Sequence, residues 1–486
     1  MFLPFFYMQE RLTGSAEEAA NRVRSVLEAN SGFSDKAELT CISCGSHYPT
    51  KPDPIYNCLR PGCGDILDVE YRFDGRLDPE ELKSIWALRR TSQKPEDRSG
   101  VWRFRELLPY IDDPSKVVTL GEGNTPLLEA PECAKYVGLR SLRFKHQGWN
   151  PTGSFKDPGM SAATTQAKIL GMRAVACAST GNTSASEAAY ARRAGMCPIV
   201  LLPQGQVSYG KLSQVLEYGA LVLQVGGDFD KAMELVMTVA PELGIYVVNS
   251  INAFRIEGQK TIVPELLEQL NWQVPDRIVV PGGNLGHASS IWKGLRELAV
   301  LGLIDKFPKL TVVQAQGADP LYRTITGPDQ SHLITVHAKT LATAVKIGNP
   351  VSWKKAKDGI QKTNGWVTEV DEQQIADAKA IIGRDGIGCE PASALTVAGL
   401  KRIVEEGTDR KFDRDETVVA VLTGHMLKDP DYPVMYHADQ LYEEFVTKPK
   451  IVPKGPKVNS TFANQPISVG ADPEELKRVI SQRLNL

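Results

Sequence analysis

The chain has 486 residues, which is too long for one compact core and predicts two or three domains. Its formal net charge of −2 shows no basic excess, so a nucleic-acid partner is not expected. No apolar run approaches the roughly 20 residues that cross a bilayer, so no membrane attachment is expected. The apolar start of the chain is short and lacks a basic region, which favours a cytoplasmic location over secretion.

Residues 1–100 form the first segment, with a helix predicted over Ala16–Glu28 and four clustered cysteines after it. The first pair is separated by two residues and the second pair by four, and a glycine follows each pair. This array resembles a zinc ribbon, in which four thiolates surround one tetrahedral ion. A structural zinc is therefore expected; the alternative is a ribbon that has lost its metal and kept its fold. The cysteines are Cys41, Cys44, Cys58 and Cys63.

Residues 101–440 alternate short apolar runs with amphipathic stretches. Such alternation with short linkers predicts an α/β fold, in which helices cover both faces of parallel sheets. The predicted strands are Ala174–Ser179, Ile199–Leu202, Leu221–Val225, Tyr246–Asn249, Ile278–Val280, Leu310–Gln314 and Val418–Leu422. The predicted helices are Ser184–Ala194, Lys211–Tyr218, Asp230–Val239, Glu257–Leu270 and Ser289–Leu301.

Residues 441–486 are predicted to form a C-terminal tail, because the alternation ends before them. Lys448–Lys457 is rich in proline and lysine and is interpreted as a connector. A short helix is predicted over Pro473–Arg483.

Lys156 is the strongest candidate for covalent chemistry. Pro151 and Gly153 end the preceding element, and Ser154 is a favourable helix cap, so Lys156 is expected in a first helical turn. The positive helix end and local desolvation both lower the pKa of an ammonium group there. An amine that acts as a nucleophile needs that shift. The alternative is an exposed lysine at a helix end.

A glycine-rich loop, residues 282–286, follows a predicted strand and precedes a predicted helix. Backbone N–H groups in such a loop can hold a phosphate without a cationic side chain. The spacing fits nucleotide-binding motifs poorly, and tight packing alone would also explain the glycines. The loop residues are Gly282, Gly283, Asn284, Leu285 and Gly286.

Three further strand ends carry polar groups. The hydroxyls of Ser179, Thr180 and Thr183 suit a carboxylate at a helix start, although a capped turn would contain the same residues. Arg255 suits a phosphate, or else it forms a surface ion pair with Glu257. At the end of the last predicted strand, Thr423 offers an uncharged hydroxyl that can hydrogen-bond a ligand.

The order of these segments resembles the threonine synthase family, fold-type II pyridoxal-phosphate enzymes of the tryptophan-synthase-β-like superfamily. The similarity runs from about Gly121 to Thr423, and the segments around Arg255 and over Ile347–Trp353 are the most specific to threonine synthases. The segments that carry the resemblance are Gly121–Pro126, Pro151–Asp157, Ala178–Ser184, Arg255–Thr261, Gly282–Gly286, Ala344–Trp353 and Gly388–Ala394.

The resemblance implies two parallel-sheet domains, a smaller one nested over about residues 155–265 and a larger one built from the rest of 101–440. It implies that Lys156 binds pyridoxal phosphate as a Schiff base and moves protons at Cα and Cβ of the substrate. The other cofactor contacts that it implies are Phe155, the 282–286 loop, Asn182 at the 3′-oxygen and Thr423. The implied substrate contacts are Ser179, Thr180, Thr183 and Arg255.

The expected reaction converts O-phospho-L-homoserine and water to L-threonine and phosphate, in an enzyme expected to form homo-oligomers. The alternatives are a cysteate synthase-like reaction on another phospho-amino acid, and a threonine dehydratase. From another class, the alternative is a non-catalytic protein that binds pyridoxal phosphate or metal. The intact Lys156 and glycine loop weigh against that last alternative.

Overall fold

The computed structural model describes residues 37–73, 78–111, 113–203, 209–226, 229–407, 409, 412–446 and 452–484. The helix predicted over Ala16–Glu28 lies outside these residues. None of the helices in the described ranges combines the length and the apolar composition needed to span a bilayer.

The described chain contains strands and helices in alternation, as the sequence predicts. The strands are β1 (Ala37–Cys41), β2 (His47–Pro49), β3 (Leu67–Tyr71), β4 (Leu127–Glu129), β5 (Leu142–His146), β6 (Ala174–Ala178), β7 (Cys197–Pro203), β8 (Leu221–Val225), β9 (Ile245–Val247), β10 (Arg277–Pro281), β11 (Lys309–Ala315), β12 (Trp366–Val370), β13 (Val418–Leu422), β14 (Tyr442–Val446) and β15 (Val452–Lys457). The helices are α1 (Pro79–Arg89), α2 (Pro95–Arg98), α3 (Pro131–Val137), α4 (Lys156–Ile169), α5 (Asn182–Arg193), α6 (Tyr209–Glu217), α7 (Phe229–Leu243), α8 (Phe254–Gln259), α9 (Ile262–Gln269), α10 (Gly286–Val300), α11 (Pro320–Thr326), α12 (Trp353–Lys362), α13 (Glu372–Arg384), α14 (Pro391–Glu406), α15 (Asp431–His437) and α16 (Pro473–Leu484).

The larger sheet has six strands in the order β12-β11-β10-β13-β5-β4. Its first five strands are parallel, and β4 pairs antiparallel with β5 at the edge. All five residues of β10 and of β13 are buried and, apart from Arg277 at the start of β10, they are apolar, because helices cover both faces of these strands. The predicted α/β fold with parallel sheets is confirmed, with one antiparallel edge strand added.

The smaller sheet has four parallel strands in the order β8-β7-β6-β9. Its central strand β6 is fully buried, whereas β8 at the edge is mostly exposed. The chain enters this sheet after α4 and leaves it through α8. Residues 174–247 therefore form a unit inserted between β5 and β10 of the larger sheet, in the order that the sequence predicts.

A three-stranded antiparallel sheet, β2-β1-β3, precedes these two sheets and contains the four-cysteine segment. At the other end of the chain, β14 and β15 pair as an antiparallel hairpin. Interpreting Lys448–Lys457 only as a connector was therefore wrong. Its second half, from Val452, is a strand, because a partner strand supplies the hydrogen bonds that local sequence does not reveal.

The single helix predicted over Glu257–Leu270 is two helices, α8 and α9, and α8 begins earlier, at Phe254. Pro264 has no N–H to donate to the carbonyl of Lys260, so the regular ladder is interrupted there. The N–H of Val263 donates to that carbonyl instead, at 3.1 Å, in a tighter turn.

Three strands of the larger sheet, β4, β5 and β12, were absent from the prediction. In β5, the charged residues Arg143 and Lys145 are typical of an exposed segment rather than a buried strand. The Lys145 side chain is nevertheless buried, because Glu265 of α9 forms an ion pair with it. A buried cation with a partner from another element cannot be recognised from the strand alone.

Helices α4 and α8 pack with their backbones almost in contact. A Cβ at Gly258 would lie 1.8 Å from the carbonyl oxygen of Pro158, and one at Gly159 would lie 2.8 Å from that of Arg255. Only glycine permits this approach. The position of α8 against α4 is therefore closely constrained.

Candidate active site

A cavity lies where the ends of β9, β10 and β13 face the start of α4, which is where ligands of open α/β sheets gather. Segments that are distant in sequence contribute to its wall. The lining residues are Phe155, Lys156, Ser250, Arg255, Ile256, Gln259, Pro281, Gly283, Asn284, Leu285, Gly286, His287, Ala344, Val345, Glu390, Ala392 and Thr423.

Lys156 is the first residue of α4, in the first helical turn as predicted, and its side chain is partly exposed to the cavity. Ser154 is not the capping residue; Phe155 occupies that position, and the Ser154 hydroxyl accepts from the Lys156 N–H at 3.4 Å. The Lys156 Nζ lies 4.0 Å from the centroid of the Phe155 ring. Desolvation, with a contribution from the nearby Arg255, lowers the pKa of Lys156 to about 7, against an opposing effect of Glu390.

The loop before α4 is held by Asp157. Its carboxylate accepts from the N–H of Thr152 at 2.6 Å and from the hydroxyl of the same residue at 2.5 Å. Asp157 is fully buried, and burial raises its pKa to about 6. The two short bonds fix the turn that presents Lys156 to the cavity.

Glu390 connects two predicted cofactor contacts. Thr423 donates from Oγ1 to one oxygen of the Glu390 carboxylate at 3.0 Å, and Asn182 donates from Nδ2 to the other at 2.9 Å. Glu390 is buried, and burial raises its pKa. Asn182 therefore reaches the cavity through Glu390 and does not line it itself.

Arg255 and Gln259 lie four residues apart on α8, so both side chains lie on the face that lines the cavity. Arg255 is 3% exposed, and its guanidinium donates from one terminal nitrogen to the carbonyl of Val248 at 3.0 Å. Its buried Nε has no hydrogen-bond partner, and the same holds for Gln259 Oε1. The alternative of a surface pair with Glu257 is wrong, since both residues are buried and Glu257 pairs with lysines.

The glycine loop joins β10 to α10, as the sequence predicts. Leu285 adopts a left-handed backbone with φ of 65°, and the N–H groups that open α10 follow it. The Asn284 side chain donates to Ser250 Oγ at 2.9 Å and accepts from the N–H of Val351 at 2.9 Å. Gly282 packs against the Val312 side chain, since a Cβ at Gly282 would lie 2.6 Å from it. Gly282 does not contribute to the cavity wall.

His287 follows the loop and was left unassigned by the sequence. Its ring packs on Phe155 with centroids 4.4 Å apart, and its buried Nε2 has no hydrogen-bond partner. Burial, together with the nearby Lys156, lowers the pKa of His287 to about 3, so the imidazole is neutral. A neutral imidazole with a vacant ring nitrogen can hydrogen-bond a ligand in this cavity.

The loop that opens α5 stands apart from this cavity. Ser179, Thr180 and Thr183 are half-buried at the end of β6 and do not contribute to the wall. Within the loop, Ser179 Oγ accepts from the N–H of Gly181 at 3.3 Å, which is the hydrogen bond of a capped turn. Their assignment to the substrate carboxylate stays a prediction.

The four cysteines predicted to bind zinc converge between β1 and β3, with all four sulfur atoms within 4.8 Å of one another. The Sγ atoms of Cys41 and Cys63 are 3.5 Å apart, as are those of Cys44 and Cys58. Tetrahedral zinc with Zn–S bonds of about 2.3 Å places sulfurs about 3.8 Å apart. The donor set and its compactness fit a structural zinc ion.

Sequence reasoning missed Ser250, Gln259, His287 and Glu390 as cavity residues. A helix start placed at Phe254 would have put Gln259 on the face of Arg255, so a better boundary would have found it. Glu390 was noted only as part of a family segment. Its contacts come from residues 33 and 208 positions away, which no local pattern encodes.

Comparison with known proteins agrees with this geometry. The family model described as "Pyridoxal-phosphate dependent enzyme" matches residues 118–424. The fold is shared with maize serine racemase, at a TM-score of 0.52 and 21% identity, over 62% of this chain and 89% of that one.

The curated relatives are more specific. The chain is 47% identical to the threonine synthase of Methanocaldococcus jannaschii over 80% of this chain and 93% of the relative. It is 44% identical to the threonine synthase of Methanosarcina acetivorans over 81% of this chain and 92% of the relative. The chain belongs to the pyridoxal-phosphate-dependent enzymes and, within them, to the threonine synthase family. The predicted family and fold class are confirmed.

Proposed function

We propose that this enzyme converts O-phospho-L-homoserine and water to L-threonine and phosphate. The observation that carries the proposal is a buried arginine, Arg255, beside the low-pKa amine of Lys156 in a cavity of a threonine synthase-like chain. A cation without a carboxylate partner among the described residues suits a substrate that carries phosphate. Homo-oligomeric assembly and a cytoplasmic location are part of the proposal.

The cavity fits pyridoxal phosphate. Residues Gly283–Gly286 and the start of α10 offer backbone N–H groups to its phosphate, and the neutral His287 adds a ring nitrogen. Thr423 would meet the pyridine nitrogen, and Lys156 the carbonyl carbon. Phe155 forms the wall between Lys156 and His287.

When bound, pyridoxal phosphate supplies an electron sink for charge that develops at Cα of the substrate. Lys156 would take protons from Cα and Cβ and return protons at Cγ, after phosphate has left it, and at Cα, which a pKa near neutrality permits in both directions. Glu390 holds Asn182 and Thr423 in fixed orientations.

Arg255 and Gln259 would receive the substrate phosphate and stabilise its charge as it leaves. The hydroxyls of Ser179, Thr180 and Thr183 would bind the substrate carboxylate after closure of the smaller sheet toward the larger one. The closure is part of the proposal, because these hydroxyls are half-buried and lie outside the present cavity wall.

The test is phosphate release and threonine formation, measured side by side with O-phospho-L-homoserine, O-phospho-L-serine and L-threonine as substrates. Stoichiometric threonine and phosphate from the first substrate alone is the expected result. Phosphate release from phosphoserine with little from phosphohomoserine would instead support the cysteate synthase-like alternative. Deamination of threonine would support a dehydratase.

A further inference from the structure

A buried cluster of charges connects the four-cysteine segment to helix α8. Lys293 of α10 lies 2.7 Å from the Glu257 carboxylate and 3.2 Å from that of Asp68 in β3. Lys260 lies 2.5 Å from Glu257 and 2.7 Å from Glu297. These side chains are at most 11% exposed, so water screens their interactions little.

Strand β3 supplies more than one contact to this cluster. Lys293 also donates to the backbone carbonyl of Val69. The Tyr71 ring lies 4.4 Å from the Nζ of Lys260 and 5.5 Å from that of Lys293, measured to the ring centroid. Asp68, Val69 and Tyr71 of β3 thus contact the lysines that pair with Glu257, so the strand is a direct packing partner of the charge cluster on α8.

Glu257 lies between Arg255 and Gln259 in sequence and on the opposite side of α8. The cavity therefore contacts one face of a short helix, and the charge cluster contacts the other. The backbone contact between α8 and α4 leaves no side chain to absorb a shift of α8. The position of the Arg255 guanidinium is consequently set in part by charges on β3.

From these contacts we infer that Asp68, Lys293 and Glu257 are positioning residues for the reaction: through them, the four-cysteine segment holds Arg255 at the substrate phosphate. The inference rests on the proposed function of Arg255. It gives this segment a role in substrate affinity, beyond the stability of the N-terminal sheet.

The test compares two ion pairs that both join the four-cysteine segment to the catalytic region. Asp68→Asn weakens the buried pair that reaches α8. Lys354→Met, the matched control, removes a half-exposed pair 2.5 Å long between α12 and Asp65, and neither of these two residues forms a described ion pair with Glu257, Lys260 or Lys293. Both variants are assayed as holoenzyme for kcat and KM with O-phospho-L-homoserine.

We expect Asp68→Asn to raise KM by roughly 2- to 30-fold, the range for a mutation that couples to a distant site, with kcat changed less. Lys354→Met should leave both constants near those of the unchanged chain. Inorganic phosphate should also raise the midpoint of thermal unfolding less in Asp68→Asn than in the control, because its affinity is lower. Equal effects in the two variants, on KM and on this shift, would overturn the inference.

A double-mutant cycle tests whether Arg255 is the residue being positioned. In an Arg255→Lys background, the effect of Asp68→Asn on KM should shrink, because both changes act on one contact. Effects that multiply independently would overturn the inference. Lys293→Met is a second variant for the same cycle, should Asp68→Asn prove too mild.

The two proposals fail differently. If the unchanged chain releases no phosphate from O-phospho-L-homoserine, the proposed function is wrong, and the phosphate-dependent unfolding shift still compares Asp68→Asn with Lys354→Met. If the unchanged chain is active and Asp68→Asn behaves as the control does, only the positioning role is wrong.

Discussion

Two buried arginines show how this molecule separates structural from functional charge. Arg277, at the start of β10, pairs with Glu416 at 2.7 Å and Asp409 at 2.8 Å, and donates to Thr311 at 2.7 Å. Arg255, on the cavity side of α8, has a carbonyl partner and an Nε without one. No ion pair to Arg255 occurs among the residues that the structure describes.

The difference is informative because burying a charge is costly unless it is paired. The surroundings of Arg277 satisfy its charge and hold the N-terminal edge of the larger sheet together. Burial lowers the pKa of Arg255 to about 10, so its charge is less stable there than in water. A buried cation of this kind gains most from an anionic ligand, which is the reason to place a phosphate beside it.

The largest effect on turnover is expected from Lys156→Ala. The variant should lose the visible absorbance of bound pyridoxal phosphate and all threonine formation above the assay background, because no other amine lies at the start of α4. Absorbance spectra and a threonine assay measure this. Lys168→Ala, half-buried at the far end of the same helix, is the control and should keep both. Activity retained in Lys156→Ala would assign the cofactor to another lysine.

Arg255→Ala tests the unpaired member of the arginine comparison. It should reduce kcat/KM for O-phospho-L-homoserine by roughly 10²-fold or more, the range for losing one transition-state contact, and leave cofactor absorbance intact. Arg255→Lys should recover only part of the loss, because the planar fork is absent. Steady-state kinetics measure kcat/KM for both variants. Values equal to that of the unchanged chain in both would contradict the assignment of Arg255 to the substrate phosphate.

Arg277→Met tests the paired member. The substitution removes the ion pairs that Glu416 and Asp409 form with this guanidinium. Because these carboxylates are buried, the free energy of unfolding should fall by about 3–5 kcal/mol. Denaturant unfolding measures the loss. The folded fraction should retain kcat/KM near that of the unchanged chain, in contrast to Arg255→Ala. A kinetic defect with unaltered stability would reverse the roles given to the two arginines.

A pH experiment sharpens the comparison further. Only the neutral amine of Lys156 attacks a carbonyl, so cofactor uptake by the apoenzyme should accelerate as pH rises through about 7. Arg255→Ala removes a positive neighbour that favours the neutral form, so the pKa of Lys156 should rise and the midpoint should move to higher pH. Absorbance after rapid mixing follows the uptake. A midpoint that is unchanged or moves lower would contradict this electrostatic link.

The four thiols of the N-terminal segment also converge without a described protein partner of opposite charge, and such a set of donors is expected to bind a metal ion. Purified protein should contain about one equivalent of zinc, set by the single four-cysteine site. Removing the metal should lower the thermal stability of the N-terminal sheet and leave cofactor absorbance largely intact. If elemental analysis finds no metal in protein that was never exposed to chelator, the zinc prediction is wrong. The four-cysteine segment would then be a ribbon that keeps its fold without zinc.

Much of the site could be predicted because its reactive groups lie in short segments with recognisable local patterns. The turn before Lys156, the glycines of the 282–286 loop and the four cysteines each combine a backbone requirement with a reactive group. Such features need no distant partner. The same holds for the apolar strands β6 and β13 and for the apolar part of β10 after Arg277, whose burial on both faces follows from composition.

Other features depend on contacts across the fold. Sequence alone offered a surface pair for Arg255, and only the tertiary structure places Glu257 among buried lysines instead. It likewise decides that Glu390 joins Asn182 to Thr423. Asp68 meets Lys293 across 225 residues, a pairing that no local propensity specifies. The sequence determined which reactive groups this protein carries, whereas the tertiary structure decided which buried charges are paired, because pairing depends on distance in space.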